Sequence, residues 1–269
     1  MRTMLGHKST SAGSVLLLCV GAVVLVAGMA VAAEAPQEEW THQFGSDRRD
    51  EALAVAVADS GVYVTGYTAG VLPGQTGLSG YDVFVRKYDT AGNVEWTDQF
   101  GTRGNDVGYG IAADASGVYV TGVAHGKLPG QTRLSTHDAF LRKYDPAGNV
   151  VWTRQFGTEQ RDYGRGVAAD EGGAYVVGET WGRFPGQTKG GDWGDDKADV
   201  FIRKYDPDGN VVWTRQPGTE QDDYGHGIAV NASGVYVTGS THGAFRGQIN
   251  AGQFDAFIRK HDQAGNFMW

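Results

Sequence analysis

The chain holds a single cysteine, Cys19, in 269 residues, so no intrachain disulfide can form. Proline is scarce, at seven residues. Basic residues are too few for a nucleic-acid binder: Lys plus Arg is 23 against 31 Asp plus Glu, a net charge of −8. Phosphate recognition draws on the opposite surplus. No Gly-x-Ser-x-Gly elbow, His-Glu-x-x-His pair or phosphate-binding loop occurs, so no catalytic residue is assigned. Outside the first 35 residues no window shows the i, i+3, i+4, i+7 rhythm of an amphipathic helix. The surplus is glycine, 42 residues or about one in six. That is roughly twice the usual ~7%. It follows no three-residue period, which excludes collagen. Such a chain spends its glycines on turns.

Residues 1–35 read as a secretory signal. Arg2 and Lys8 precede an uncharged run from Ser14 to Ala33 that ends in small residues, Ala30-Val31-Ala32-Ala33-Glu34-Ala35. A basic start, an apolar middle and an Ala-x-Ala end predict export and cleavage. A retained anchor is the alternative, since Leu16–Ala33 lies at the lower length limit for a bilayer span. Cleavage removes Cys19 and leaves a domain over 36–269 without membrane attachment. The expected location is secreted, periplasmic or on the cell surface.

A fixed period organises that domain. Trp40, Trp96, Trp152, Trp213 and Trp269 are spaced 56, 56, 61 and 56 residues apart. Each interval repeats the same ordered segments. A small-residue run (Val55–Ala58), an alternating run (Val62–Thr65), a second (Asp82–Tyr88) and a Trp-bearing third (Val94–Phe100) predict four β-strands per repeat. Four short strands joined by glycine turns make one β-propeller blade, with the small-residue strand innermost, where blades crowd the axis. The recurring turn Tyr-Asp-x-x-Gly-Asn places Asp to cap a type I turn and Gly at φ > 0. The predicted fold is an all-β propeller of about four blades, near 50–101, 106–157, 162–218 and 223–269.

The signatures W-T-x-Q-F-G, G-V-Y-V-T-G, D-A-F-[LIV]-R-K-Y-D and D-x-x-G-N-V-x-W recur in order over residues 40–269. In these the chain resembles the bacterial SBBP β-propeller repeat. The resemblance implies a propeller fold and an extracytoplasmic location, with no shared catalytic constellation to carry over. The family name refers to seven blades, and this chain holds four repeats. Trp40–Gly45 could complete the fourth blade and close a small ring; the alternative is an open arc or partial propeller that can self-associate.

Two carboxylate series repeat in every blade: Asp50, Asp106, Asp162, Asp223 and Asp82, Asp138, Asp199, Asp255. They could gather cations, but a residue present in every blade serves the blade. The expectation is that they bond turn amides or pair with the repeated Arg-Lys dipeptides, such as Arg86-Lys87. Asp206-Pro207-Asp208-Gly209-Asn210 starts like a calcium loop but lacks the later ligands, so it is read as a turn and no metal is assigned. The same turn resembles repeats of quinone-cofactor dehydrogenases, whose adjacent cysteines are missing here, so no cofactor is expected.

Where the repeats disagree, a fixed frame can carry a site. Before Gly70, Gly126, Gly182 and Gly243 stand Ala69, His125, Trp181 and His242. The third repeat alone carries an insertion, Lys189–Lys197, with Trp193 between glycines and aspartates. Aromatics beside carboxylates suit stacking on a sugar ring. His125, Trp181, Trp193 and His242 are therefore the candidate ligand-binding residues. The function expected is a non-enzymatic binding or display scaffold at the cell envelope, with a protein or glycan partner. A purely structural module or a fragment of a larger surface protein comes next, and a carbohydrate-active enzyme last.

Overall fold

A computed structural model describes residues 39–190 and 196–269. The signal segment with Cys19, and Trp193 of the insertion, lie outside the described residues. The chain divides into two compact units, Met1–Glu39 and Trp40–Trp269. The second contains every described hydrophobic cluster.

All regular structure among the described residues is antiparallel β. Blade 1 is β1 (Asp50–Ala58), β2 (Gly61–Thr68), β3 (Asp82–Tyr88) and β4 (Val94–Phe100), hydrogen-bonded in chain order. Blade 2 repeats this with β5 (Val107–Asp114), β6 (Gly117–Ala124), β7 (Asp138–Tyr144) and β8 (Val150–Phe156). Blade 3 comprises β9 (Asp162–Asp170), β10 (Gly173–Thr180), β11 (Asp199–Tyr205) and β12 (Val211–Arg215). Blade 4 has three full strands, β13 (Asp223–Asn231), β14 (Gly234–Thr241) and β15 (Asp255–His261). Beyond β15 only an isolated bridge from His261 to Phe267 begins a fourth.

The small-residue strands stack side by side, β1 on β5, β5 on β9 and β9 on β13, as innermost strands must. Their glycines permit it: a Cβ at Gly110 would stand 3.0 Å from the Arg165 carbonyl oxygen, and one at Gly166 3.0 Å from that of His226. The cores lie between blades. Val83 and Val85 pack with Ile111, Val118 and Val120. Leu141 packs with Val167 and Val176, and Ile202 with Val235 and Val237. Burial of these β-branched and aromatic faces stabilises each pair at about 25 cal/mol per Å² of apolar surface removed from water.

The tryptophan of each outer strand is clasped by the next blade. Trp96 stacks on Tyr144 at 5.6 Å, and its Nε1 donates to the Pro146 carbonyl at 3.3 Å. Trp152 repeats this on Tyr205 and the Pro207 carbonyl, at 6.4 and 3.0 Å. Both indoles lie over the glycine of the Asp-x-x-Gly-Asn turn. Gly148 and Gly209 have φ of +90° and +79°, and a Cβ on either would approach the indole to 2.8 Å. The aspartate caps as its spacing predicts: Asp89 Oδ1 accepts the Ala91 and Asn93 amides at 2.9 and 2.7 Å.

Both carboxylate series cap turn amides. Asp50, Asp162 and Asp223 accept the amides of Ser46, Thr158 and Thr219 at 2.8, 2.7 and 2.5 Å, and Asp106 accepts that of Thr102. Asp82, Asp138 and Asp199 bond Leu78, Leu134 and Gly190 amides, and each also takes the Nε2 of an outer-strand glutamine. Pairing with Arg-Lys, the other expectation, is not what the dipeptide does. Arg86 Nε bonds Thr97 Oγ1 at 2.8 Å with its guanidinium over Phe44, while Lys87 Nζ reaches the Pro146 carbonyl of the next blade at 3.2 Å.

The arc is open. Blade 4 does not stack back on blade 1, and Trp40–Gly45 does not complete it. That segment lies on the outer part of blade 1, with Trp40 over Tyr88 at 5.7 Å and Phe44 edge-on to Phe84 at 5.3 Å. Of the two expected arrangements the open arc is the one formed.

The clasp can be tested by truncation. Trp152→Ala should cost about 3–5 kcal/mol in denaturant unfolding, the range for a buried tryptophan. The half-exposed Trp40 should cost clearly less on the same change; equal losses would contradict the clasp. The buried acids make stability depend on pH. Burial pushes Asp162 up to about 7, and the nearby Asp138 adds to it. Between an unfolded value near 4 and this folded value the native state binds more protons. Its stability therefore falls as pH rises through that window, by up to about 4 kcal/mol from this residue. Burial raises Asp106, Asp199 and Asp223 in the same sense. Urea midpoints should be higher at pH 5 than at pH 8, with a shallower dependence in Asp162→Asn.

Candidate functional site

The frame around the variable loop position is rigid. Trp181 donates its amide to the Arg161 carbonyl at 3.0 Å, His242 to that of Asp222 at 2.8 Å, and His125 to Asp106 Oδ1 at 2.8 Å. The following glycine is fixed by crowding: a Cβ at Gly126, Gly182 or Gly243 would come within 2.7 Å of a threonine hydroxyl. The backbone is thus held in each blade while the preceding side chain is free to differ.

Those side chains join a run of rings that crosses three blades. His125 meets His137 edge-on at 4.0 Å, and His137 lies 5.6 Å from Tyr163. Tyr163 is 5.8 Å from Trp181, and Trp181 is 6.2 Å from Tyr224. Tyr224 continues to Phe254 at 5.9 Å, on which His242 stacks at 4.6 Å. Three of the four sequence candidates, His125, Trp181 and His242, therefore stand in one aromatic belt. His242 and Phe254 are exposed; the other rings are half-buried. A second pair, Tyr67 on Tyr81 at 4.7 Å, extends the surface onto blade 1 through a cluster with Val107, Tyr109 and Tyr163.

Sequence reading missed His137, Tyr163, Tyr224 and Phe254. The available signal was disagreement between repeats. Position 163 corresponds to Glu51, Val107 and Tyr224, and position 137 to Tyr81, Ala198 and Phe254. Each lies next to a repeated aspartate, which drew attention to the constant residue.

An ion pair anchors the belt from beneath. Arg165 on β9 and Glu179 on β10 meet at 2.6 Å, with Arg165 Nε also donating to Glu179 Oε1 at 2.8 Å. The guanidinium lies over Tyr109 and Tyr163, at 4.4 and 4.8 Å. Burial pushes the Glu179 carboxyl up while the guanidinium pulls it back, and Arg165 stays charged because that carboxylate outweighs its own burial. Burial also depresses the histidines, His125 to about 4 with the neighbouring His137 adding to it. Both rings are neutral at neutral pH and act as aromatic edges with one donor each.

Beside His125 the belt opens into a groove of about 710 Å³ between blades 1 and 2. Its walls carry Leu78, Leu128 and three exposed cations, Arg103, Lys127 and Arg133. In a chain of net charge −8 this is a local reversal of sign. Among the described residues no three His, Cys, Asp or Glu side chains converge to hold a metal ion.

The chain is similar to known proteins. The Caulobacter vibrioides protein named "Regulatory protein FlaEY" is 29% identical over 213 residues. The match covers 71% of this chain and 22% of that protein, so the chain spans about a fifth of its relative's length. Residues 151–185, from β8 through β10 into the following loop, match the family described as SBBP, a beta-propeller repeat. That match, on a frame built of one four-stranded unit repeated along the chain, supports the chain as an SBBP-type β-propeller repeat protein.

Proposed function

We propose that the chain is an exported, non-enzymatic scaffold that binds an anionic glycan at the cell envelope. The observation that carries this reading is the aromatic belt running into a cation-walled groove. Ring faces at half burial give CH-rich sugar faces a stacking surface, and neutral histidine edges supply hydroxyl partners. Arg103, Lys127 and Arg133 supply charge for carboxylate or sulfate groups. Export is supported by the basic, apolar and small-residue order of residues 1–35. The name of the Caulobacter relative, a regulatory protein, suits a chain that works by binding rather than turnover. A protein partner in place of a glycan is the outcome that the test separates.

Titrating the chain with uronic-acid oligosaccharides and their neutral counterparts tests this. Trp181→Ala and Lys127→Ala should each weaken the acidic sugar about tenfold or more, the scale of one lost stacking or charge-assisted contact. Thermal unfolding should barely move for the exposed Lys127. Affinity should fall with added salt, yet stay flat between about pH 7 and pH 8, where His125 and His137 are both neutral. Equal affinity for neutral and acidic sugars, or indifference to Trp181, would remove the proposal.

A further inference from the structure

The positive charge around the first groove continues past it. A second groove, of about 550 Å³, opens between the loop that follows β6 and the loop that precedes β9. Its walls carry Arg133, Leu134, Thr136, Glu159 and Arg161. Arg133 lines both grooves. A pair of rings joins them as well. His125, in the first groove, meets His137 edge-on at 4.0 Å, and His137 Nδ1 shares a 2.9 Å hydrogen bond with Thr136 Oγ1 of the second.

The blade itself does not need these cations. Val71 and Gly77 stand in blade 1 at the places of Lys127 and Arg133. The loops before blades 2 and 3 carry Arg103 and Arg161, whereas the equivalent positions before blade 4 are Glu220 and Asp222. Nor are the four spent on neighbours: Arg103, Lys127, Arg133 and Arg161 are exposed, and among the described residues none is in an ion pair. Cations on either side are neutralised, Arg49 by Glu51 and Lys197 by Asp222 at 3.5 Å. Arg133 is oriented from its stem side, where Nε donates to the Ser135 carbonyl at 2.6 Å. A planar guanidinium so fixed is suited to a carboxylate. One carboxylate, the exposed Glu159, sits in the second groove, and two arginines there outweigh it.

We propose that the second groove is a further subsite for the acidic glycan, so that the ligand is a chain of uronic-acid units laid across blades 1 to 3 and not a single terminal sugar. This rests on the reading of the first groove as a site for an anionic sugar. Arg103 and Lys127 take acid groups in the first groove, Arg133 stands at the step between the two, and Arg161 takes an acid group in the second. A polymer that carries one carboxylate per unit can meet all of these at once. Its second contact is intramolecular once the first is made, so affinity grows with chain length without any stronger single contact. A short oligosaccharide has only the first groove and its aromatic wall. Glu159 opposes the longer ligand alone, by like charge.

Calorimetric titration of the full chain with uronic-acid oligosaccharides of increasing length, from disaccharide to octasaccharide, separates the two subsites. Affinity should rise about tenfold or more from the shortest to the longest. Arg161→Ala should abolish that rise and leave the disaccharide as it was, whereas Arg133→Ala should weaken both. Glu159→Gln should strengthen the longer chains alone, a change opposite in sign to any loss of folding. The three side chains are exposed, so thermal unfolding of each variant should match that of the unaltered chain. Neutral oligosaccharides of the same lengths should show no comparable rise. Equal affinity at every length, or a rise that Arg161→Ala leaves untouched, overturns the second subsite while the first groove stands. Failure of even the disaccharide to bind removes the reading of the first groove, and this inference with it.

Discussion

The outer strand of each blade is paired within its own sheet and is pinned to the blade that comes after it, through an indole laid over a glycine turn. This arrangement makes the blade an incomplete unit. Trp96 has its stacking partner, its hydrogen-bond acceptor and its glycine seat all in blade 2, and Trp152 has all three in blade 3. The glycine must be glycine twice over, for the positive φ of the turn and for the room the indole takes. Lys87, which faces Trp96 across the sheet, reaches the same Pro146 carbonyl as the indole, so a charge-assisted bond reinforces the seat. Neighbouring blades are coupled, and stability accumulates along the array as it does in solenoids.

The carboxylates arise from the same economy of space. Loops that run from an outer strand to the next innermost strand bury their amides at the blade junction, and buried amides need acceptors. Aspartate supplies a carboxylate on a short stem, and at Asp82, Asp138 and Asp199 a single oxygen, Oδ2, both caps a loop amide and takes an outer-strand glutamine. The result is a row of buried acids whose charged forms are disfavoured by desolvation. Each is tolerated because its fixed hydrogen-bond donors favour the charged form that burial disfavours, and burial at the junction accounts for the upward shift that remains.

Much of this was legible in the sequence because it recurs. Strand alternation, the glycine of the Asp-x-x-Gly-Asn turn and the axial position of the small-residue strand are local or periodic, and repetition averages away the noise in any one copy. The partner of Arg86 was not legible. Opposite charges in adjacent strands suggested an ion pair, but the guanidinium is presented to a threonine hydroxyl and a phenylalanine face, which only the cross-strand register reveals. His137, Tyr163 and Phe254 were missed for the complementary reason. They come from different blades and different strand ends, and curvature of the array alone brings them to His125, Trp181 and His242.

Constancy and variation are thus separated within a few residues of each other, and the physical reason is the direction in which neighbouring side chains point. At the junction the aspartate turns into the loop, where it must satisfy amides, while the residue beside it turns out over the end of the arc. The first position is constrained by a side-chain hydrogen bond in every blade, the side chain of the second by none that the blades share. Substitution at the second can therefore change the surface without changing the fold, and four slightly different copies of one blade place different rings along a common curve. Arg165 and Glu179 show how far this freedom extends inward. In blade 3 a charge pair stands where blades 1 and 2 carry Leu53 with Tyr67 and Tyr109 with Val123, and where blade 4 carries His226 hydrogen-bonded to Ser240. Glu179 Oε1 takes both guanidinium contacts, and the guanidinium lies over Tyr109 and Tyr163.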